Sequence, residues 1–178
     1  ARAAEGSAVA VTYHERRAQA EAVVAEIVGA GGRAVALGAD VAEPAQAEGL
    51  VKETLDRLGR LDILVNNAGI SRDALIAEMT PEACWAVMRT NFGGVFNCTR
   101  ATVEPMMRER RGAIVNIASI MADRAWPGQA NYAASKGAIV AFSRTAALEL
   151  ARFGIRVNVV APGLVATAIL LLIFIGYL

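Results

Sequence analysis

The chain of 178 residues is 55% hydrophobic and 20% charged, a composition that predicts one globular domain with a sizeable core and excludes disorder. Eighteen Lys and Arg against seventeen Asp and Glu leave a net charge of +1, which argues against a nucleic-acid binder, since that would need a basic excess on one face. Cys84 and Cys98 form neither a Cys-x-x-Cys motif nor a disulfide framework, so a reducing, cytoplasmic compartment is the expectation.

Ala1–Gly6 has no Met and no apolar signal-peptide core, and it reads as the last turn of a helix closed by a glycine, with the part before it missing. Ala8–Thr12 (AVAVT) predicts a short strand, and Glu15–Gly29 a helix with Val23, Val24 and Ile27 on one stripe. Gly31-Gly32 ends that helix, and Arg33–Leu37 predicts the second strand. Pro44 opens a helix that holds Leu50, Val51, Thr54, Leu55 and Leu58 on one face and stops at Gly59. Leu61–Val65 predicts a buried strand running into Asn66-Asn67-Ala68-Gly69. A long helix follows from Pro81 to about Arg110, with bends expected near Gly93-Gly94 and at Pro105. Ala113–Ala118 predicts a strand, Gln129–Arg152 a long helix and Ile155–Val160 a strand. This alternation predicts an α/β fold of the Rossmann type, a doubly wound parallel sheet with helices on both faces. Ile169–Leu178 is almost unbroken apolar sequence, too short for the roughly 20 residues of a membrane span. It reads as a buried strand or helix, or as a non-native end to the reading frame.

Ligands of open α/β sheets bind beyond the carboxyl ends of the strands. Three predicted strand ends carry small or polar residues: Asn66–Gly69, Ser119 and Pro162-Gly163. Any one of them alone is equally well ordinary loop punctuation. Tyr132 and Lys136, four residues apart, share one face of the predicted helix. A tyrosine hydroxyl ordinarily ionises near pH ~10, and a neighbouring ammonium favours the phenolate. Ser119 stands thirteen residues earlier and can hydrogen-bond a substrate oxygen opposite the tyrosine. The set suits proton transfer to a carbonyl while a hydride arrives from elsewhere. Tyr-x-x-x-Lys by itself arises by chance in many helices as a surface pair. Against that, this chain uses sixteen Arg and two Lys, and one of the two stands here. A guanidinium cannot adjust its pKa or present a compact charge in the same way.

Asn67-Ala68-Gly69, Asn91, Ser119, Tyr132-Ala133-Ala134-Ser135-Lys136 and Pro162-Gly163 stand in the order and spacing of the short-chain dehydrogenases/reductases. The stretches NNAGISRD, GQANYAASKGAIVAFSRTAALELA and GIRVNVVAPGLVAT most resemble the bacterial 3-oxoacyl-[acyl-carrier-protein] reductases, and the resemblance covers residues 1–168. It implies that Tyr132 is the general acid in the reductive direction and that Ser119 orients the substrate carbonyl. Lys136 would hold the nicotinamide ribose and depress the tyrosine pKa, and Asn91 would hold a water that feeds protons to Lys136. Asp40 and Val41 would contact adenine, and Asn67, Ala68 and Gly69 would line the ribose. Pro162, Gly163, Val165 and Thr167 would approach the nicotinamide amide. The implied substrate is a carbonyl, either small or bound to acyl-carrier protein. In related reductases basic residues at helix ends receive that carrier, a part open here to Arg108, Arg110, Arg111 and Arg152, which equally well complement helix dipoles.

The cofactor choice follows from charge. NAD-dependent relatives place an acid at the end of the strand corresponding to AVAVT. Here Tyr13-His14 follow, with Arg16 and Arg17 close by, which favours a 2′-phosphate and hence NADP(H), although Glu15 stands among them. His14 is the only histidine, and no metal site is expected.

The chain also departs from the family. The opening strand, glycine-rich turn and helix that cradle the pyrophosphate have no counterpart, and residues 1–6 match only the end of that helix. In the order 3-2-1-4-5-6 that strand lies between AVAVT and LDILV, so these two should share no neighbour and expose edges. Past Thr167 the family continues into substrate-covering helices and a final strand that commonly builds a homo-oligomer. Here Ile169–Leu178 follows, and Ala161–Ala168 is too short for a parallel crossover, so the family's oligomer is not a firm expectation for this chain. The expected organisation is a truncated domain over 1–168 and an atypical apolar tail over 169–178. The alternative to an NADPH-dependent ketoreductase is a non-catalytic fragment or remnant of one, unable to bind dinucleotide.

Overall fold

Strand and helix alternate through residues 6–163, which are the residues that the computed structural model describes. The elements are β1 (Ala8–Tyr13), α1 (Arg17–Gly29), β2 (Arg33–Gly38), α2 (Pro44–Leu58), β3 (Ile63–Asn66), α3 (Pro81–Met88), α4 (Gly94–Arg108), β4 (Gly112–Ile117), α5 (Ala130–Leu150) and β5 (Ile155–Val160). Pro44 and Pro81 stand in the first turns of α2 and α3, where a fixed φ and a missing N–H cost nothing. Thr80 caps α3, its Oγ1 accepting a hydrogen bond from the Ala83 N–H at 3.2 Å. The long helix forms as expected, with Gly93 and Gly94 both in the right-handed helical conformation. A π-helical turn, Arg89–Gly93, joins α3 to α4, and α4 continues past Pro105 to Arg108.

Every strand pairing is parallel. β1 pairs with β2, from Ala8 opposite Arg33 to Tyr13 opposite Gly38. β4 lies between β3 and β5, with Ile63 opposite Ala113 and Gly112 opposite Ile155. The α/β architecture with helices over both faces is as expected, and the described strands form two sheets, β1-β2 and β3-β4-β5. Among the described residues no strand pairs with both β1 and β3, as the sequence leads one to expect. The free edge strand β3 accordingly leaves Ile63 at 38% and Val65 at 55% exposure.

Two features hold the sheets side by side. Asn97 on α4 donates through Nδ2 to the carbonyls of Val41 (3.0 Å) and Ala42 (3.2 Å), in the loop that follows β2. Gly94 lets Val41 sit directly on α4, since a Cβ there would fall 2.7 Å from Val41 Cγ2. The apolar core belongs to the larger sheet. Met106, Ile114, Ala146, Leu150 and Ile155 fill the space between α4, α5 and the strands. Val95, Ala118 and Ile139 continue it, with Phe92 and Phe142 meeting edge to face at 5.9 Å. Cys98 is buried beside them, and burial pushes its thiol up to about 11, so it is no nucleophile near neutrality. Among the described residues no helix is long and apolar enough to cross a membrane. The readings of Ala1–Glu5 and of Ile169–Leu178 lie outside the described residues.

Candidate active site

The strands β3, β4 and β5 end at Asn66, Ile117 and Val160, all at one edge of the sheet. The chain leaves them through Asn67-Ala68-Gly69, Ser119 and Pro162-Gly163. Asn67, Ala68 and Gly69 form an exposed rim. Ser119 caps a single 3₁₀ turn, its Oγ accepting from the Met121 N–H at 3.2 Å, and the Ile120 N–H donates to the Pro162 carbonyl at 3.0 Å. The Ser119 and Pro162 loops are thereby joined.

Because α5 connects two parallel strands, it runs antiparallel to them and starts at this same edge. Tyr132 is in its first turn and half-buried, and Lys136 is one turn on, buried at 4% exposure. The Lys136 Nζ lies 5.5 Å from the centre of the Tyr132 ring and donates to the Ile117 carbonyl at 2.8 Å. Burial pulls the ammonium below the usual lysine range. Gly69 fits against this group because it has no side chain: a Cβ would stand 3.2 Å from Asn91 Oδ1 and 3.8 Å from Lys136 Nζ.

Asn91 is fully buried in the π-helical turn, a helical irregularity found often at functional sites. Its Oδ1 accepts from the Ile70 N–H (2.8 Å), and its Nδ2 donates to the Ile70 carbonyl (3.0 Å) and to Ser135 Oγ (3.0 Å). The Ser135 hydroxyl donates in turn to the Tyr132 carbonyl at 2.7 Å. Asn91 therefore clamps the loop after β3 to the first turns of α5.

A second group stands at the carboxyl ends of β1 and β2. The Tyr13 ring covers Gly38, where a Cβ would lie 3.1 Å from the ring. Asp40 folds its own loop: its Oδ1 accepts from the Ala42 N–H at 2.9 Å and its N–H donates to Gln46 Oε1 at 2.8 Å. His14 Nε2 is 4.0 Å from Asp40 Oδ2. Arg17 is engaged with Glu21 at 2.7 Å, while Arg16 stands exposed just ahead of α1. Asn97 and Gly94 connect this group to the first through the Val41 loop. Val165 and Thr167 lie outside the described residues.

The basic helix ends are elsewhere. Arg108, Arg110, Arg111 and Arg152 stand where α4 and α5 run into the amino ends of β4 and β5, at the far end of the sheet from Tyr132. Arg108 pairs with Glu104, Arg111 with Asp62 at 2.6 Å, and Arg110 Nη2 donates to the Arg152 carbonyl at 3.1 Å. On its own chain this cluster does not border the site.

The sequence alone singles out neither Asn116 nor Ser143, and it names Asn66 and Ser135 within motifs without giving either a role. Ser135 lies inside the Tyr132–Lys136 segment, and its buried hydroxyl joins Asn91 to α5. Asn66 and Asn116 interrupt strands that are otherwise apolar, the one sequence signal that they had.

Residues 1–173 match the family pattern described as short chain dehydrogenase. The chain belongs to the short-chain dehydrogenase family. Within it, the chain is 47% identical over 165 residues to a 3-oxoacyl-[acyl-carrier-protein] reductase of Synechocystis, covering 93% of this chain and 67% of the relative. It is 44% identical over 165 residues to the 3-oxoacyl-[acyl-carrier-protein] reductase FabG of Staphylococcus aureus, with the same coverage. A crystal structure of a dehydrogenase/reductase from Sinorhizobium meliloti superposes with a TM-score of 0.87 at 41% identity, over 93% of this chain and 66% of that one. A gluconate 5-dehydrogenase from Burkholderia cenocepacia, in complex with NADP and tartrate, also gives 0.87, at 36% identity over 93% and 64%. The chain thus spans about two thirds of the length of the relatives that it matches. Membership makes it an oxidoreductase by family, similar to the FabG-type short-chain dehydrogenases.

Proposed function

We propose that the chain carries the reactive centre of an NADPH-dependent reductase that converts a 3-oxoacyl thioester, small or bound to acyl-carrier protein, into the 3-hydroxyacyl thioester. The observation that carries this reading is the Tyr132–Lys136–Asn91 assembly at the carboxyl edge of β3-β4-β5, the edge at which Ser119 follows β4. The nicotinamide, when bound, supplies the hydride. Tyr132 donates the proton to the carbonyl oxygen, and the Ser119 hydroxyl hydrogen-bonds the same oxygen and fixes its direction. Lys136 keeps a positive charge beside the phenol, where it favours the phenolate left after proton transfer, and presents its remaining N–H groups to the ribose. Asn91 braces the helix that carries both residues, and the water that returns protons to Lys136 is the part the family resemblance gives it.

The residues present fit a dinucleotide over most of its length. The exposed rim Asn67-Ala68-Gly69 admits a ribose beside Lys136 because Gly69 leaves the space open. Asp40 and Val41 take the adenine, and Pro162, Gly163, Val165 and Thr167 the nicotinamide amide. Arg16, with Tyr13 and His14, takes a 2′-phosphate, which favours NADP(H) over NAD(H). Among the described residues no glycine-rich turn cradles the pyrophosphate. On this reading residues 1–168 are the dehydrogenase domain, 169–178 a separate apolar tail, and the cytoplasm is the place of action. The edges of β1 and β3, which no strand among the described residues pairs, favour a second reading, a non-catalytic piece of such an enzyme that binds no dinucleotide.

Fluorescence titration with NADPH and with NADH, followed by NADPH oxidation with an acetoacetyl thioester, separates the two. Preferential NADPH binding and turnover are expected. Tyr132→Phe should cut kcat by about 10²–10⁴-fold with binding retained. A loss below tenfold removes Tyr132 from its role, and no dinucleotide binding by the parent chain supports the second reading.

A further inference from the structure

Beneath the site lies a chain of polar side chains that the proton transfer does not use. Asn66, at the end of β3, donates through Nδ2 to Thr99 Oγ1 on α4 (3.3 Å) and to Asn116 Oδ1 on β4 (2.8 Å). Asn116 Nδ2 donates to Ser143 Oγ on α5 at 2.8 Å, and the Ser143 hydroxyl donates to the Ile139 carbonyl at 2.6 Å. Asn116 is fully buried, and Asn66, Thr99 and Ser143 are all buried with it. Asn66 and Asn116 are register partners, so their amides meet side by side on one face of the sheet. The network spans α4, β3, β4 and α5, and the last three of these lead into or carry the residues of the site.

Stability does not explain such a network. Burying amides and hydroxyls costs desolvation, and replacing all partners by apolar groups of similar shape is often neutral or stabilising. What hydrogen bonds add is direction. The apolar contacts of α5, through Ile139, Ala146 and Leu150, tolerate a small slide or rotation of the helix, whereas an amide meeting a hydroxyl at 2.8 Å does not.

Two successive residues of β4 grip α5. Asn116 holds Ser143 by its side chain, and Ile117 holds Lys136 by its carbonyl. Lys136 and Ser143 are seven residues apart, two turns along one helix face. A lysine has a flexible four-carbon stem with large rotamer freedom, so the position of its ammonium depends on where the helix is held.

We propose that Asn116, acting through Ser143, is a positioning residue for Lys136: it fixes the register of α5 on β4 and so keeps the ammonium at the Ile117 carbonyl beside Tyr132. The proposal rests on the reductase reading of Lys136 and extends it to a side chain that touches neither substrate nor cofactor.

The full chain labelled with ¹³C at lysine Cε gives two lysine side-chain signals, from Lys136 and the exposed Lys52. In the parent, the Lys136 signal should titrate below the ordinary lysine range, since burial opposes its charge. In Asn116→Leu and in Ser143→Ala it should move up toward that range, with the Lys52 signal unchanged. Ser143→Ala deletes a single hydroxyl and decides the matter if Asn116→Leu does not fold. Ile155→Val trims the core on β5 and should leave the Lys136 titration where it is. An unchanged Lys136 titration in folded Ser143→Ala overturns the proposal, as does an equal shift in Ile155→Val, which would mean general loosening. Absence of NADPH-dependent turnover in the parent would overturn the reductase reading and leave the lysine result standing by itself.

Discussion

Among the described residues Lys136 has one acceptor, the Ile117 carbonyl, and its surroundings oppose its charge through desolvation. That opposition makes stability depend on pH with a definite sign. At a pH below the lowered folded value the lysine is charged in both states, and the folded state bears the whole cost of burying the ammonium. As pH rises through the folded value toward the ordinary value of about 10.4, the folded chain releases its proton before the unfolded one does. The unfolded state then binds more protons, so stability contributed at this site rises with pH over that window. Lys136→Met has no proton to lose there. Urea midpoints of parent and variant, measured from about pH 7 to about pH 11, should therefore change in the parent's favour as pH rises. A difference that stays constant, or that moves the other way, would mean that the ammonium is solvated and not buried against Ile117.

At the scale of elements, glycine does opposite work in two helices. Gly94 is the close approach between α4 and Val41, where a Cβ would lie 2.7 Å from Val41 Cγ2. Gly94→Ala should cost about 1–3 kcal/mol through overpacking. Because Val41 follows Asp40 in the loop proposed to take the adenine, NADPH binding should weaken together with the melting temperature. Gly49 lies in the exposed interior of α2, with nothing within 4 Å of a Cβ. Gly49→Ala should stabilise the chain by about 0.5–1 kcal/mol and leave NADPH affinity as it was. Thermal melts and NADPH titrations of the two variants check both halves, and a harmless Gly94→Ala would mean that Val41 does not rest on α4.

The order of strands and helices was legible because each element carries its own period and its own stop: Pro44 and Gly59 around α2, the apolar runs of β4 and β5. Tyr132 and Lys136 were legible because both sit on one helix at a spacing that a single turn dictates. The π-helical turn was not, since one additional residue in a turn leaves no mark in composition; Gly93-Gly94 marked only the neighbourhood in which it lies. The Asn66–Asn116–Ser143 network was not legible either. Its members are fifty and twenty-seven residues apart, and only the strand register brings them together.

At the scale of the whole molecule, the two parallel sheets are held by α2 against α4 and by the Asn97 clasp, while among the described residues β1 and β3 each keep one edge without a hydrogen-bonded neighbour. Open edges invite pairing with other chains, and Ile63 and Val65 add apolar surface to the β3 edge. A strand entering between them would complete two ladders and bury a row of side chains worth about 1.5–3 kcal/mol each. Domains are stable by only about 5–15 kcal/mol, so a few such side chains decide whether unfolding is cooperative. Fusing a family-type strand, glycine turn and helix ahead of residue 1 should raise the melting temperature, sharpen the transition and suppress concentration-dependent aggregation. The same fusion should tighten NADPH binding, because the glycine turn would add the pyrophosphate cradle at a helix N-terminus. Calorimetry, light scattering and NADPH titration of the chain with and without the fused segment test this together. If the 178-residue chain melts sharply as a monomer and binds NADPH as tightly as the fusion, β1 and β3 need no common partner and the two-sheet arrangement is sufficient for dinucleotide binding.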